Sequence, residues 1–236
     1  MYQGVAPEMP MNYQITYSAK RSTVAIIVKA RQLQVKAPTG TCEHFIAEFV
    51  ASKRDWIVKQ LQRQSALHSE KSQPLDEGVL TLFGQKQPLL LKSDNVSHVR
   101  WLDEGIEISI GNRVQNRQEK AKALLLTFMA EELAQFIHIR LGYWQPRMGV
   151  QAQDVKVRVY KRRWGSCDRR QRLTFNTLLA GAPKWVIDYV VVHELAHIRY
   201  MDHGPRFWEL VNQHCVHTQE AKNWLRQRGI SLELEF

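Results

Sequence analysis

Cysteine is scarce in this sequence of 236 residues, and its three cysteines, Cys42, Cys167 and Cys215, lie far apart. An odd count without a Cys-x-x-Cys pair argues against a disulfide framework and against a zinc site built from cysteines alone. We therefore expect free thiols in a reducing compartment.

The sequence also lacks a long hydrophobic run. The most apolar stretch, residues 186–192, is too short to span a bilayer and contains Asp188. Residues 1–12 show no basic start followed by an apolar segment, so no signal peptide is predicted. These absences predict a cytoplasmic protein without a membrane partner, and the composition of 44% hydrophobic and 24% charged residues is typical of a globular protein.

Acidic residues are too few to balance the basic ones, which leaves a formal net charge of +10. Much of the excess lies in residues 154–172, where eight lysines and arginines stand against two aspartates. Such a block attracts polyanions, so this segment is a candidate for weak polyanion binding. A solvated basic face without any partner explains the same pattern.

Hydrophobic patterning divides the chain into three parts. We interpret residues 1–12 as a leader, residues 13–115 as a β-rich N-terminal region, and residues 116–236 as a second domain, with a polar break at 111–116 between the two. Several short segments of the N-terminal region alternate apolar and polar residues, as half-buried strands do. One long amphipathic helix is predicted among them, over roughly residues 42–67.

The second domain mixes predicted helices and strands. It begins with a long helical pattern over residues 119–141, which Gly142 and Pro146 are expected to end. Three further elements are predicted, at residues 155–160 (strand), 172–178 (strand) and 184–200 (helix). The sequence therefore predicts an α+β fold in which the last of these helices lies beside a small sheet.

That helix carries the motif His193-Glu194-Leu-Ala-His197. Residues four apart lie on one face of a helix, so both imidazoles can bind a single metal ion. Glu194 projects from nearly the same side, where it is placed to act as a general base on water and not as a ligand. Two ordinary surface histidines are the alternative, but the neighbouring residues are largely apolar, and unpaired polar groups are unfavourable there. The motif therefore predicts a catalytic Zn²⁺ site.

A catalytic zinc site has three protein ligands and one open position. His203 is the best candidate for the third ligand, because Asp202 and Gly204 are suitable residues for turning the chain back toward the helix. Four alternatives remain open: Glu209, His214, His217 and Glu220.

Further motifs surround this helix, namely Arg163-Trp-Gly-Ser-Cys167, Leu173-Thr-Phe-Asn176, Pro183, His203 and Phe207-Trp208. Together they closely resemble the YgjP-like (WLM-related) metallopeptidase-fold family, over nearly the whole chain. The resemblance implies a zincin-like fold in which the strand near residues 173–178 lies beside the active-site helix. It also implies that His193, His197 and His203 bind Zn²⁺ and that Glu194 is catalytic.

The resemblance leaves two substrate classes open, because the family takes its metallopeptidase label from its fold and includes members described as UTP pyrophosphatases. The leading interpretation is peptide hydrolysis, with an extended peptide paired to the strand at 173–178. A nucleoside triphosphate would instead place its phosphates near Lys161, Arg162 and Arg163, and Mg²⁺ could enter with the nucleotide.

Five residues are candidates for substrate binding: Arg162, Arg163, Trp164, Ser166 and Asn176. Core packing also explains Trp164, and a turn or a strand edge explains Ser166 and Asn176. A third hypothesis is a nucleic-acid-binding module with structural zinc, which the net charge favours. A structural zinc site has four protein ligands, however, and would leave Glu194 without a role.

Overall fold

Residues 12–29, 32–69 and 72–232 are described by a computed structural model. The chain divides into two units, residues 1–70 and 71–236, and each has its own hydrophobic core. The predicted leader lies outside the described residues, apart from its last residue. No helix among the described residues is both long and apolar enough to cross a membrane.

The first unit is a three-stranded sheet that packs against two consecutive helices. Its strands are β1 (Tyr13–Ser18), β2 (Ala25–Lys29) and β3 (Gln32–Pro38). The central strand is β3, which runs parallel to β1 and antiparallel to β2. Alternate residues of β3 point to one face, where they are buried against apolar helical residues. This core consists of Leu33, Val35, Ala37, Ile46, Val50 and Ile57.

The prediction of a single long helix in this unit is wrong. The structure contains two helices, α1 (Glu43–Ser52) and α2 (Arg54–Ser69). They are separated at Lys53, whose backbone is not helical (φ −106°, ψ 12°). The Ser52 hydroxyl donates to the Phe49 carbonyl oxygen at 2.8 Å and so occupies a backbone acceptor at the end of α1. Such a local bond competes with continuation of the helix, and hydrophobic periodicity alone does not reveal it.

The second unit begins with a four-stranded sheet that packs against a long helix. A short helix α3 (Pro74–Glu77) precedes strands β4 (Val79–Leu82), β5 (Gln85–Asp94), β6 (His98–Leu102) and β7 (Gly105–Gly111). Their order in the sheet is β4-β5-β7-β6. The core residues of β7 pack with those of the next helix, α4 (Arg117–Met148), in one cluster. The polar break at 111–116 therefore lies inside this unit, because the sheet and the helix share one core.

Helix α4 continues past Gly142 and Pro146, which were expected to end it. It runs on to Met148, whose side chain is buried in the core of the unit. Gly149 then adopts the left-handed conformation (φ 61°), and its N–H bonds to carbonyls of the last turn. Burial of Met148 thus extends the helix, and a glycine that tolerates positive φ ends it.

A second, smaller sheet follows, with strands β8 (Asp154–Arg158), β9 (Gly165–Cys167) and β10 (Arg172–Asn176). Its order is β8-β10-β9, with β10 parallel to β8 and antiparallel to β9. A 3₁₀ turn (Thr177–Gly181) follows the sheet. Three helices come next, α5 (Lys184–Ala196), α6 (Pro205–His214) and α7 (Thr218–Arg228), and a second 3₁₀ turn (Gly229–Leu232) follows them. The fold is therefore mixed α+β, as the sequence predicts.

The two faces of the small sheet have different surroundings. Leu173 and Phe175 of β10 are buried in the core of the unit, and Gly165 of β9 pairs with Phe175 on this inner face. Thr174 of β10 and its partner Ser166 of β9 point to the opposite, outer face, because side chains alternate along a strand. The side chains on the two faces therefore lie in different surroundings.

Candidate metal centre

Helix α5 places the first two histidines of the centre on one face. His193 and His197 lie one turn apart, with ring centroids separated by 5.0 Å. The helix ends at Ala196, and tighter backbone bonds from Ile198 and Arg199 to carbonyls three residues earlier close its last turn. The chain leaves the helix directly after the second histidine.

His203 returns to the helix from the following turn. The Asp202 carboxylate accepts a hydrogen bond from the Gly204 N–H at 3.2 Å, which fixes this turn. The Nε2 atoms of His203 and His193 lie 3.1 Å apart. One ligand atom from each of His193, His197 and His203 falls within 4.8 Å of the other two. Three convergent imidazole nitrogens form a donor set that fits a divalent metal.

Hydrogen bonds orient two of these imidazoles. Nδ1 of His197 lies 3.0 Å from the carbonyl oxygen of Tyr200, which can only accept, so this nitrogen carries the proton. The Tyr189 hydroxyl lies 3.4 Å from Nδ1 of His193. A proton on Nδ1, as in His197, leaves Nε2 free to bind a metal, and such partners are typical of metal-binding histidines. Burial, with the nearby His197 and His203, lowers the pKa of His193 to about 3, so its ring is neutral.

Phe207 of α6 supports all three rings. It is fully buried, and its ring centroid lies 4.9 Å from that of His193, 4.5 Å from His197 and 4.7 Å from His203. The neighbouring Trp208 stacks on the exposed His203 at 5.7 Å. Helix α6 therefore closes the centre on one side with aromatic rings.

Glu194 is held beneath strand β9. Its side chain is only 5% exposed. A Cβ atom on Gly165 would lie 2.5 Å from Oε1 of Glu194, so the strand approaches the carboxyl group as closely as a glycine allows. Burial raises the pKa of Glu194 to about 8, and the positive charge of Arg163 opposes this shift.

A cavity of about 240 Å³ opens beside these groups. It is lined by Arg163, Trp164, Gly165, Tyr189, Val190, His193, Glu194 and Leu225. The cavity therefore combines one histidine of the cluster, the buried carboxyl group, one arginine and an apolar wall. Trp164 belongs to that wall, and it also packs against Gly229, where an added Cβ would lie 2.7 Å from the indole.

The family model described as YgjP-like, metallopeptidase domain matches residues 22–228. The chain belongs to the YgjP-like metallopeptidase family. Membership of this family implies a hydrolase that uses a divalent metal. The resemblance given by the sequence motifs is thereby confirmed.

Two solved structures are similar to parts of this YgjP-like protein. One is the metallopeptidase zymogen jannalysin of Methanocaldococcus jannaschii, at 16% identity and a TM-score of 0.36, covering 39% of this chain and 88% of that one. The other is the metallopeptidase zymogen abylysin of Pyrococcus abyssi, at 18% identity and a TM-score of 0.36, covering 42% of this chain and 99% of that one. A search of curated proteins gave no match.

The other candidates for the third ligand lie apart from the histidine cluster. His214 contacts the ring of Trp144, and His217 contacts that of Trp185. Glu209 and Glu220 are exposed on α6 and α7. Among the described residues, only His203 joins the two histidines of the motif.

The five predicted substrate-binding residues fall into separate groups. Arg163 and Trp164 line the cavity, whereas Arg162 is exposed outside its lining. Ser166 lies on the outer face of the sheet, where its hydroxyl bonds to that of Tyr160 at 3.0 Å. Asn176 is buried, and its amide nitrogen donates to the carbonyls of Tyr160 and Arg163, so it holds the loop before β9.

The sheet order corrects the expectation that a peptide pairs with the strand at residues 173–178. Strand β10, which covers most of residues 173–178, is central and has neighbours on both sides. Strand β9 is an edge strand and is the one that lies against α5. The sequence did not predict β9, because three residues are too few for alternation to be recognised.

Three residues of the centre were not identified as functional from the sequence. Tyr189 offers a usable signal, since it precedes His193 by four residues and shares its helix face. Gly165 and Phe207 offer none, because their roles depend on the packing of β9 and α6 against α5.

Proposed function

We propose that this YgjP-like protein is a zinc-dependent hydrolase in which His193, His197 and His203 are the metal ligands. The convergence of three imidazole nitrogens within 4.8 Å carries this proposal. Zn²⁺ suits such a set, whereas Mg²⁺ prefers oxygen ligands. When bound, the metal acts as a Lewis acid that polarises the bond to be cleaved and acidifies water.

Glu194 is the proposed general base. It follows His193 directly and lines the same cavity. In its ionised form, the Glu194 carboxylate takes a proton from the attacking water and returns it to the leaving group. The close approach of Gly165 fixes its position, so little reorganisation is needed when substrate binds.

Peptides are the proposed substrate class, and the free edge of β9 supports this choice. Backbone bonds join Trp164 to Asn176 and Asp168 to Arg172, so the backbone groups of Gly165 point away from β10. An extended peptide can pair with these groups by adding a strand. The apolar wall of the cavity would then receive one of its side chains.

A nucleoside triphosphate is the second candidate substrate, because Arg163 lines the cavity beside Glu194. A guanidinium group at this place can bind a phosphate by paired hydrogen bonds. The exposed Lys161 and Arg162, which directly precede Arg163 in the chain, would add positive charge, and Mg²⁺ would arrive with the nucleotide.

The mechanism is tested by Glu194→Gln, which keeps the size of the side chain and removes its basicity. We expect this variant to retain stoichiometric zinc and to lose turnover by about 10²–10⁴-fold. His197→Ala should lose both metal and turnover. Glu209→Gln, an exposed glutamate on α6, is the matched control and should behave like the wild type. Full activity of Glu194→Gln would refute the assigned base.

Substrate class is decided by assaying the zinc-loaded wild type on quenched fluorescent peptides and on nucleoside triphosphates. Peptide cleavage that is absent in Glu194→Gln supports the first candidate. Pyrophosphate release with the same dependence, and no peptide cleavage, supports the second. In that case Arg163→Gln should raise KM for the nucleotide more than it lowers kcat.

A further inference from the structure

The outer face of the small sheet carries a polar depression of about 290 Å³. It is lined by Asp154, Lys156, Arg158, Tyr160, Ser166, Asp168, Arg172, Leu173 and Thr174. We call the polar part of this lining the outer sheet surface. Glu194 lies on the other side of the sheet, against Gly165, so this surface is separate from the metal centre.

A guanidinium group and two hydroxyls meet within the outer sheet surface. Nη2 of Arg158 donates to the Tyr160 hydroxyl at 3.0 Å, and its guanidinium carbon lies 4.6 Å from the centre of the Tyr160 ring. The same hydroxyl lies 3.0 Å from Oγ of Ser166. These contacts hold Arg158 in place through neutral groups, and the two described aspartates of this face pair with Lys156 and Arg172 instead.

The charges around this cluster are mostly positive. Lys156 pairs with Asp154 at 3.3 Å, and Arg172 pairs with Asp168 at 2.6 Å. Four more cations that neighbour these strands in the sequence are exposed, namely Lys161, Arg162, Arg169 and Arg170. The lining itself holds three cations and two aspartates, a net charge of +1, within a wider segment, residues 154–172, of net charge +6.

The spacing of these groups along the strand lets an extended chain of phosphates contact more than one of them. Lys156 and Arg158 are two residues apart on one strand and point to the same face, so their backbones are roughly 7 Å apart. Three strands at about 4.8 Å spacing give a surface roughly 10 Å wide, which accommodates one nucleic-acid strand better than a duplex. Guanidinium, ammonium and hydroxyl groups are the usual partners of phosphate oxygens.

We propose that the outer sheet surface binds the phosphodiester backbone of single-stranded nucleic acid. Binding is electrostatic and sequence-tolerant, as expected for contacts to phosphate without base readout. It does not depend on the proposed hydrolase activity, because neither Lys156 nor Arg158 lines the cavity at the metal centre.

The test is binding of a labelled mixed-sequence single-stranded oligonucleotide to the full chain, followed by fluorescence anisotropy over a series of salt concentrations. We expect wild type to bind, with an affinity that falls steeply as salt rises. The double variant Lys156→Gln/Arg158→Gln should reduce the slope of log K against log salt by about 1.4, or ~0.7 for each phosphate that is no longer neutralised. Its zinc content and hydrolase activity should not change.

The matched control is Lys86→Gln/Arg113→Gln, which removes one exposed lysine and one exposed arginine outside this sheet. This variant should keep the wild-type slope, and thermal unfolding should show both variants folded. An equal reduction of the slope in the two variants would mean that net charge alone attracts the oligonucleotide, and the proposal would fail. It would also fail if wild type does not bind at low salt, or binds anionic phosphatidylserine vesicles but not the oligonucleotide.

Discussion

At Gly165, the absence of a side chain decides how closely strand β9 approaches the buried carboxyl group of Glu194. An added Cβ would lie 2.5 Å from Oε1 and 2.7 Å from Cγ of Glu194, which is closer than such atoms can pack. Either the strand or the carboxyl group must move when a methyl group is introduced. Because Glu194 is the proposed base, a substitution of Gly165 is expected to lower turnover.

Gly165→Ala should therefore lower kcat by about 100-fold while the protein keeps its zinc, because a displacement near 1 Å of a catalytic group has an effect of this order. The three atoms nearest to the new methyl group all belong to Glu194, and none belongs to a histidine of the proposed site. Zinc content and steady-state kinetics, measured on the same preparation, check this expectation.

Gly142→Ala is the matched control, since nothing lies within 4 Å of the added Cβ on the exposed side of α4. This variant should keep full turnover and gain up to about 1 kcal/mol in unfolding free energy, because alanine is the better helix former. Wild-type kcat in Gly165→Ala would contradict the positioning role of β9.

Among the single residues, helical spacing alone was enough to bring His193 and His197 together, because a period of 3.6 residues fixes their common face. His203 needed one further condition, a turn, which Asp202 and Gly204 provide. The contact of Phe207 with all three imidazoles could not be foreseen, since it depends on how α6 packs against α5.

Between elements, the position of α5 relative to α4 is fixed by a polar contact. Nε of Arg140 on α4 donates to a carboxylate oxygen of Asp188 on α5, and Nε1 of Trp144 donates to the same oxygen at 3.2 Å. Both charged side chains are 23% exposed, so the pair is largely shielded from water. Asp188 thus accepts two bonds from one face of the neighbouring helix.

Asp188→Ala should lower the free energy of unfolding by about 2 kcal/mol, because Arg140 and the Trp144 N–H lose their acceptor in a largely buried place. Urea unfolding of the zinc-free protein measures this decrease. Glu131→Ala on the exposed face of α4 is the control and should change stability by less than about 0.5 kcal/mol. Equal stability of the two variants would show that Asp188 does not hold the helices together.

Elements with long, regular patterns were predictable, and the pairing of short ones was not. Alternation in β10 identifies Leu173 and Phe175 as buried, but it carries no information about which strands lie on either side. Those neighbours, β8 and the three-residue β9, both precede β10 closely in the sequence, and alternation does not show on which side each of them pairs. The boundary between the two units, at residue 70 and not at 111–116, could not be predicted from the sequence either. The four-stranded sheet and α4 share one core, and this is visible only in the three-dimensional structure.

At the scale of the molecule, the second unit contains everything that the proposed chemistry requires. Among the described residues, its core runs from Leu80 to Leu232. All three histidines and Glu194 belong to it. A unit with its own core is expected to fold independently.

Residues 71–236 produced alone should therefore unfold in one cooperative thermal transition and bind zinc. Zn²⁺ at about a thousandfold above Kd should stabilise this fragment by ~4 kcal/mol, because the ion binds the folded form. The same fragment with His197→Ala should unfold at the temperature of the zinc-free fragment whether or not Zn²⁺ is added. A fragment without a cooperative transition would show that the second unit depends on residues 1–70 for its folding. A cooperative fragment that zinc does not stabilise would instead count against the three-histidine site, because the core would be intact and the ligands unable to bind the ion.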